Sequence, residues 1–160
     1  MRLEEVTDAQ KHAQKLAALH AKSFAARAER AWSAQEFADL LAQKNTHAFV
    51  GGQDDAQGFI LLQNQPDGAE ILTLAVLPAA RRAGLARALM AHAQKALKAD
   101  KLWLDVAEDN EAALALYAAT GFRRTGRRSK YYKRAGNFSV DALLMERDRQ
   151  EGESDEPESI

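Results

Sequence analysis

The spacing of hydrophobic residues changes several times along the chain, and each change predicts a different element of secondary structure. After a strand near residues 2–6, apolar positions recur at helical spacing, and Asp8 can cap the helix that this spacing predicts. The recurring positions are Leu16, Leu19, His20 and Phe24. The chain is therefore expected to begin with one strand and a helix that has an apolar face.

A second helix carries a sharp start signal. Residues 33–36 read Ser-Ala-Gln-Glu, a capping box in which the first and last side chains each accept a hydrogen bond from the other residue's backbone N–H. Trp32 before the box and Phe37 after it form a hydrophobic staple, and we expect packing, rather than substrate contact, to be their main role. We therefore predict a helix from Ala34 to about Gln43.

The hydrophobic period then shortens to that of strands. Segments 47–50 and 57–63 read as strands joined by a turn rich in Gly and Asp, and a Pro-Asp-Gly turn leads into a strand at 70–76. These strands should pair as an antiparallel meander. A helix beginning near Gly84 and a strand at 101–106 follow. Because strand-helix-strand crossovers are right-handed, the strands before and after this helix should be parallel.

The last elements complete a mixed sheet. A helix is predicted over 110–120, with Asn110 as its cap and Gly121 as its left-handed end, and strands at 122–128 and 140–147 should pair with each other. The predicted fold class is therefore α/β, a mixed sheet of about seven strands with helices on both faces.

Composition limits the chemistry that this chain can perform. Its 160 residues, 46% of them hydrophobic, suit one domain, which we place at residues 1–148. The absence of cysteine excludes disulfides, thiolate metal sites and a cysteine nucleophile, and the histidines lack ligand spacing, so we expect no metal. The sequence shows neither a signal peptide nor a membrane-spanning apolar run. We expect a soluble, cytoplasmic protein without membrane contact.

Charge is unevenly distributed along the chain. The net charge is −1, yet the last ten residues contain five acidic residues and no basic one. Because this segment has almost nothing apolar to pack, residues 149–160 are predicted to form a disordered acidic tail, solvated rather than dedicated to binding.

The turn between strand 70–76 and the next helix has the features of a phosphate site. Gly84 lets a ligand approach the backbone closely, and the first N–H groups of a helix, at its positive dipole end, favour a pyrophosphate. Arg81 and Arg82 add positive charge beside those groups. No Lys-Ser or Lys-Thr pair follows the glycine, so this turn is not a nucleoside-triphosphate loop.

The spacing Arg81-x-x-Gly84-x-Ala86 resembles the acyl-CoA signature of the GNAT N-acetyltransferases, and the order of elements is similar to theirs up to about Asp148. Within the family, the likeness is greatest to enzymes that acetylate the N-terminal alanine of a small-subunit ribosomal protein. The segments that carry the resemblance are 31–33 with Phe37, 70–76 with Pro78, 81–86, 109–117, 121–122, 126–128, 131–132 and 141–143. The resemblance implies the GNAT fold and direct acetyl transfer from acetyl-CoA in a ternary complex.

The resemblance also implies which residues hold the cofactor. In the family, backbone N–H groups of the strand matching Leu74, Ala75 and Val76 hold the acyl carbonyl, and pantetheine adds to that strand as a peptide would. The implied diphosphate site comprises Arg81, Arg82, Ala83, Gly84, Leu85 and Ala86.

Asn110 and Tyr117 lie two turns apart and therefore share one face of helix 110–120. The resemblance implies that Asn110 contacts pantetheine and that Tyr117 protonates the departing sulfur of coenzyme A. A phenol, with an ordinary pKa of roughly 10, stays protonated at neutral pH and can serve as this acid.

The identity of the base stays open between two carboxylates. Enzymes with the alanine acceptor carry Glu where this chain has Asp105, which is one methylene shorter and can act through a water. Glu70 is the rival, because other acetyltransferases place a base on the matching strand. An α-amine with a pKa of roughly 8 is about a tenth deprotonated at pH 7, whereas a lysine near 10.4 is neutral about once in two thousand. A base that lies further from the amine, such as the shorter Asp105, therefore impairs acetylation of an N-terminal α-amine less than acetylation of a lysine.

A basic segment follows the last helix. Residues 122–134 contain seven basic residues and no acidic one. A solvated hairpin explains this charge, and contact with RNA on an assembling ribosome or with the 3′-phosphate of coenzyme A is the functional alternative. In the family this segment borders the peptide groove, so the resemblance implies that Tyr131 and Tyr132 form a wall for the acceptor.

Three functions are therefore considered for the chain. The first is acetylation of the N-terminal alanine of a small-subunit ribosomal protein. The second keeps the fold and the cofactor but transfers acetyl to a lysine or a small amine. The third is a catalytically weak acyl-CoA-binding or ribosome-associated module, which the shortened carboxylate of Asp105 and the basic segment suggest.

Overall fold

The computed structural model describes residues 1–23, 31–81 and 83–149. Its strands are β1 (Arg2–Glu5), β2 (Thr46–Gly52), β3 (Gly58–Gln65), β4 (Gly68–Val76), β5 (Lys101–Ala107), β6 (Arg123–Arg134) and β7 (Phe138–Asp148). Its helices are α1 (Ala9–Ser23), α2 (Ala34–Leu41), α3 (Leu85–Ala96) and α4 (Glu111–Ala119). The expectations for Phe24, Arg82 and the tail from 150 onward fall outside the described residues.

The strands form one mixed sheet of seven strands in the order β1-β2-β3-β4-β5-β7-β6. Strands β2 to β4 make the predicted antiparallel meander, β1 adds to it antiparallel to β2, and β4 lies parallel to β5 after the crossover through α3. The predicted α/β class, the number of strands and the parallel pair are therefore confirmed.

Helices cover the sheet on both faces, as the sequence predicts. Helices α3 and α4 pack over one hydrophobic core, in which Leu89 and Leu102 are fully buried. Helices α1 and α2 pack over a second core on the other face, around Leu16, Phe37 and Phe59. Each of these large side chains contributes about 1.5–3 kcal/mol by its burial, so both faces help to hold the sheet.

Helix α2 begins as its capping box predicts. The Glu36 N–H donates to Ser33 Oγ at 3.1 Å, and the Ser33 N–H donates to Glu36 Oε1 at 3.2 Å. The ring centroids of Trp32 and Phe37 lie 5.5 Å apart, which completes the staple. The helix ends at Leu41, slightly before its predicted end.

Strands β4 and β5 pair over a short distance only. Their ladder joins Ala69 to Leu102 and Glu70 to Trp103. Beyond these two pairs the described parts of the strands diverge, and a cleft opens between their carboxyl-terminal halves. The sheet is thus split at the point where a parallel pair would otherwise continue.

A β-bulge interrupts β4 just past this point. The register of β3 shifts between Leu61 and Leu62, which leaves Leu72 outside the β3–β4 ladder. In a regular strand, Ile71 and Leu74 would point to opposite faces of the sheet, but here both pack towards the core under α3 and α4. The bulge at Leu72 therefore reverses which residues of β4 face that core. The bulge therefore re-aims the backbone of β4 along the cleft.

The last hairpin is longer than the sequence predicted. Strand β6 extends to Arg134 and β7 begins at Phe138, whereas the predicted strands covered 122–128 and 140–147. Strand β6 lies at the edge of the sheet and is exposed along nearly all of its length. Its charged sequence therefore lacks the apolar alternation that marks a half-buried strand, and the predicted end was too early.

Arg147 of β7 is a buried cation that joins three elements. It is 4% exposed, its Nε donates to Gln94 Oε1 of α3 at 2.9 Å, and its Nη1 donates to the carbonyl of Thr120 at 3.0 Å. We expect Arg147→Met to lower the free energy of unfolding by about 2–3 kcal/mol, because buried acceptors lose their donor. Urea unfolding measures this change.

Arg123 provides the matched control for that measurement. It lies on the exposed edge strand and forms ion pairs with Glu146 at 2.8 Å and Asp148 at 3.3 Å. Exposed pairs of this kind contribute about 0–1 kcal/mol, so Arg123→Met should be nearly neutral. Equal destabilisation by the two substitutions would contradict a structural role for the buried guanidinium.

Candidate active site

The cleft between β4 and β5 widens into a cavity of about 1230 Å³. Its wall draws on both sides of the split sheet and on the helices that follow each strand. The contributing segments are 71–76 of β4, 104–107 of β5, 84–87 at the start of α3, 110–117 in part around α4, and 131–134 of β6. Apart from Ala83, the predicted cofactor residues that the structure describes therefore line one space.

The turn before α3 has the conformation that a phosphate site requires. Gly84 is the residue that precedes the helix, and its φ of 82° lies in the left-handed region that favours glycine. A Cβ built on Gly84 meets no atom within 4 Å, so the space above it is open. The first N–H groups of α3, from Leu85 and Ala86 onward, have no partner within the helix by its geometry. This turn can therefore accept an anionic group.

Arg81 lies beside this turn, but its guanidinium is engaged with the protein. Its Nε donates to the carbonyl of Val76 at 3.2 Å, and its Nη2 donates to the carbonyl of Ser23 at 2.8 Å. Arg81 thus joins the end of β4 to the end of α1. Ala83 belongs to the same turn and is exposed.

The backbone of β4 provides the second part of the candidate cofactor site. Leu74, Ala75 and Val76 all lie past the bulge and line the cavity, on the stretch of β4 that has separated from β5. A strand whose edge is not taken up by a neighbour can pair with an extended ligand. The bulge at Leu72 was not predicted, because its run of apolar residues gives no sign of a change in phase.

Helix α4 brings Asn110 and Tyr117 to the cavity together, as their spacing predicts. The Asn110 Oδ1 accepts a hydrogen bond from the Ala113 N–H at 3.2 Å, so this side chain caps the helix. Tyr117 is 9% exposed, and its ring packs edge-on against Phe122 with centroids 5.2 Å apart. The phenol is therefore held in one orientation by packing.

The two candidate bases lie on the same face of the sheet. Glu70 pairs with Trp103 in the β4–β5 ladder, and Asp105 follows two residues later on β5. Burial raises the pKa of Glu70, and the charge of Asp105 raises it further, whereas Arg128 and Gln65 lower it. Glu70 therefore holds a proton more tightly than an ordinary glutamate.

Of these two carboxylates, Asp105 contributes to the cavity wall and Glu70 does not. The side chain of Asp105 is 18% exposed, and its Oδ1 lies 3.6 Å from Arg128 Nε. This ion pair orients the carboxylate without removing it from the cavity. The sequence favoured Asp105 over Glu70, but it could not show which of them reaches the cavity, because that depends on where the strands part.

Tyr131 and Tyr132 both line the cavity, in agreement with their predicted position. Their ring centroids lie 5.0 Å apart, and the Tyr132 hydroxyl donates to the carbonyl of Asp105 at 3.4 Å. Tyr131 is 50% exposed, with the guanidinium of Arg128 5.5 Å from its ring centroid. The pair therefore forms an aromatic wall next to Asp105.

Trp32 and His20 also line the cavity, which the sequence did not indicate. Their rings stack with centroids 5.3 Å apart, and His20 Nδ1 accepts a hydrogen bond from the Trp32 N–H at 3.2 Å. Trp32 thus serves as a staple for α2 and as a wall residue, whereas Phe37 is buried in the core. The signal available beforehand was only that an aromatic residue preceded the helix cap.

Much of the basic charge in β6 is paired within the molecule. Four of the seven basic residues of segment 122–134 form ion pairs with carboxylates. The pairs are Arg123 with Glu146 and Asp148, Arg127 with Glu108 and Asp141, Arg128 with Asp105, and Arg134 with Asp109. The segment is therefore far less positive as a surface than its sequence suggests.

The described residues contain no group of three or more His, Cys, Asp or Glu side chains that could hold a metal ion. Within the same ranges, none of the helices combines the length and the apolar character needed to cross a membrane.

Comparison with known proteins adds to this geometry. Residues 13–122 match the Acetyltransferase (GNAT) family. N-alpha-acetyltransferase RimI of Mycobacterium tuberculosis is 33% identical over 142 residues, which cover 85% of this chain and 86% of that relative. An uncharacterized protein of Mycobacterium leprae, ML0378, is 35% identical over 125 residues; these cover 74% of this chain but only 34% of that longer relative.

A solved structure gives the same comparison in three dimensions. The crystal structure of the ribosomal-protein-S18-alanine N-acetyltransferase from Escherichia coli superposes with a TM-score of 0.79 at 25% sequence identity. The superposition covers 94% of this chain and 96% of that chain. The similarity therefore includes both halves of the split sheet.

Proposed function

The chain belongs to the GNAT acetyltransferase family and is an N-acetyltransferase, and from this premise we propose that it transfers acetyl from acetyl-CoA to the α-amine of a protein N terminus. The observation that carries the proposal is the divergence of β4 from β5 beside the turn at Gly84. This arrangement offers an unpaired strand edge and a helix start to one elongated, anionic ligand.

Acetyl-CoA fits this arrangement by its chemistry. Its diphosphate suits the N–H groups at the start of α3, where Gly84 leaves room for close approach. Its pantetheine amides suit the open edge of β4 at 74–76, near Asn110. The thioester then lies near Tyr117, because the strand edge and α4 border the same cavity.

The proposed reaction is a direct transfer in the ternary complex. The neutral amine attacks the thioester carbonyl carbon, and backbone N–H groups of β4 stabilise the oxyanion that develops. The C–S bond then breaks, Tyr117 gives its proton to the departing thiolate, and the proton lost by the amine passes to a carboxylate. Exchange with solvent restores both groups.

We assign the proton-accepting role to Asp105. This carboxylate lines the cavity beside the aromatic wall, whereas Glu70 does not line the cavity. The shorter side chain of aspartate favours a water between it and the amine. Glu70 then acts only through its charge on Asp105.

The acceptor we propose is the N-terminal alanine of a small-subunit ribosomal protein. The support is the similarity to the ribosomal-protein-S18-alanine N-acetyltransferase of E. coli and to the N-alpha-acetyltransferase RimI of M. tuberculosis. The aromatic wall of Tyr131 and Tyr132, where a peptide would enter, is consistent with such an acceptor. Such an acceptor is made in the cytoplasm, so the proposal places the reaction there. Contact with ribosomal RNA is not required, since most of the charge on β6 is already paired.

Mass spectrometry of acetyl-CoA reactions tests the acceptor. The panel offers a peptide with a free N-terminal alanine, the same peptide with a blocked α-amine, a blocked peptide containing lysine, and a small free amine. Acetylation of the free α-amine alone is the expected result. Preference for the lysine peptide or the small amine would show that the acceptor is not a protein N terminus. Binding of acetyl-CoA without turnover on any amine would show that the protein binds acyl-CoA but does not catalyse transfer.

Substitution of the two carboxylates tests the base. Asp105→Asn keeps the shape of the side chain but removes its basicity, and we expect kcat to fall by about 100-fold. Glu70→Gln should lower kcat much less, because that carboxylate does not line the cavity. Steady-state kinetics at saturating acetyl-CoA measures both variants, and a larger loss for Glu70→Gln would reverse the assignment.

A further inference from the structure

Strand β6 contains a bulge that includes Tyr131, the first residue of the aromatic wall, and ends at Tyr132. Arg128 pairs with Ala142 and Tyr132 pairs with Val140, so residues 129–131 of β6 face a single residue, Asp141, on β7. The bulged residue Lys130 has a φ of 52°, in the left-handed region. A non-glycine residue in this conformation needs support from its surroundings.

Asp141 supplies that support with both of its carboxylate oxygens. Its Oδ1 accepts a hydrogen bond from the Lys130 N–H at 2.9 Å, and its Oδ2 accepts one from Arg127 Nη1 at 2.7 Å. These two bonds hold the pKa of Asp141 below its ordinary range, the bond from Lys130 being the larger cause. The carboxylate therefore stays ionised under physiological conditions.

The same arginine nitrogen extends the connection to the loop before α4. Arg127 Nη1 also donates to Glu108 Oε2 at 2.8 Å, and Glu108 Oε1 accepts a hydrogen bond from the Asp141 N–H at 3.2 Å. The Glu108 N–H in turn donates to the Asp141 carbonyl at 2.9 Å. Asp141, Arg127, Glu108 and the Lys130 N–H thus form one closed network, which we name the Asp141 junction.

The junction lies between two parts of the cavity wall. On one side, the bulge that it caps contains Tyr131 and ends at Tyr132. On the other side, Glu108 precedes Asp109, which pairs with Arg134, and Asn110, which caps α4. Asp141 itself does not contribute to the cavity wall. The Asp141 carboxylate therefore reaches the wall through the bulge and its tyrosines, whereas the direct contacts of Asp141 with Glu108, on the Asn110 side, are made by its own backbone N–H and carbonyl.

We propose that Asp141 is a positioning residue for the acceptor: by capping the bulge of β6 it fixes Tyr131 and Tyr132 as the wall against which the incoming amine substrate binds. This inference rests on the proposed function, because it takes the two tyrosines as acceptor contacts. It assigns Asp141 no contact with acetyl-CoA, whose proposed contacts, the edge of β4, the start of α3 and Asn110, are made by other residues of the wall.

A graded pair of variants isolates this role. Asp141→Ala removes both acceptors, and we expect the KM for the acceptor to rise by about tenfold, the scale of one charged hydrogen bond. Asp141→Asn should restore much of the loss, because the Asn Oδ1 can still accept from the Lys130 N–H. The kcat and the Kd for acetyl-CoA should stay within about twofold for both variants, since neither change touches the reacting groups.

Asp148→Ala is the matched control. Asp148 lies on the same strand and forms an exposed pair with Arg123 at 3.3 Å, away from the bulge. Its loss should leave the KM for the acceptor unchanged. Hydrogen exchange at the Lys130 amide adds a readout that does not depend on turnover, and we expect protection to be lost in Asp141→Ala and kept in Asp141→Asn and Asp148→Ala.

The kinetic assay uses whichever amine the wild-type enzyme acetylates, so a lysine acceptor would overturn the proposed substrate without affecting this test. An unchanged acceptor KM in Asp141→Ala, or an equal rise in the Kd for acetyl-CoA, overturns the positioning role. Should Asp141→Ala fail to fold, Arg127→Gln takes its place. That variant leaves the Lys130 bond intact, and a rise in acceptor KM larger than that of Asp141→Asn would overturn the inference.

Discussion

Gly84→Glu should abolish measurable binding of acetyl-CoA. Gly84 has a φ of 82°, which costs a non-glycine residue about 1–2 kcal/mol, and the added carboxylate projects where we place the diphosphate. A charge repulsion of about 3 kcal/mol or more would lower affinity by about 100-fold or beyond. Isothermal titration calorimetry of the purified variant with acetyl-CoA measures this loss, and turnover should disappear with it.

Gly136→Glu is a control matched in backbone conformation, added charge and open surroundings, but it lies in a turn between strands rather than at the start of a long helix. Gly136 lies in the turn between β6 and β7 with a φ of 76°, and a Cβ built on it also meets no atom within 4 Å. The two variants therefore share the backbone strain, the added charge and the open surroundings, and differ in their distance from the cavity. Gly136→Glu should bind acetyl-CoA as the wild type does. An equal loss of acetyl-CoA affinity in both variants, or no loss in Gly84→Glu, would show that the diphosphate does not bind at this turn.

Tyr117→Phe should lower kcat by about 100-fold while the Kd for acetyl-CoA changes little. General acid catalysis is worth about 10²–10⁴-fold, and the substitution removes only the hydroxyl that supplies the proton. The ring should keep its edge-on contact with Phe122, so the packing of α4 is preserved. Single-turnover kinetics with saturating acceptor measures the chemical step directly.

Tyr131→Phe is the control for the missing hydroxyl. Tyr131 lines the same cavity, yet it is half exposed and has no proposed part in proton transfer. We expect it to change the KM for the acceptor more than kcat. Unaltered turnover in Tyr117→Phe would leave the departing sulfur to be protonated by water and would remove Tyr117 as the acid.

Elements with local signals were predictable from the sequence. The capping box at 33–36 fixes the start of α2 through bonds between near neighbours, and no distant residue is needed to recognise it. The parallel pairing of β4 with β5 followed from the handedness of a strand-helix-strand crossover. The spacing of Asn110 and Tyr117 placed both on one face of α4 for the same reason, since helix geometry is local.

Features that depend on pairing between distant segments were not predictable. The bulges at Leu72 and at 129–131 arise from the register of neighbouring strands, and register leaves little trace in a continuous apolar or basic run. The neutralisation of β6 depends on carboxylates from other elements, such as Asp105 and Asp109. The choice between Asp105 and Glu70 likewise depends on the residue at which two strands part.

The two rims of the sheet have a consequence for behaviour in concentrated solution. Strand β1 covers only Arg2–Glu5, too few residues to template another chain, and β6 combines two breaks in register with cationic side chains along an exposed strand. Edge strands that are short, irregular in register or charged disfavour pairing with a strand of another molecule and so oppose aggregation. The enzyme can therefore keep an unpaired strand open at its centre for a ligand while discouraging intermolecular pairing at its periphery.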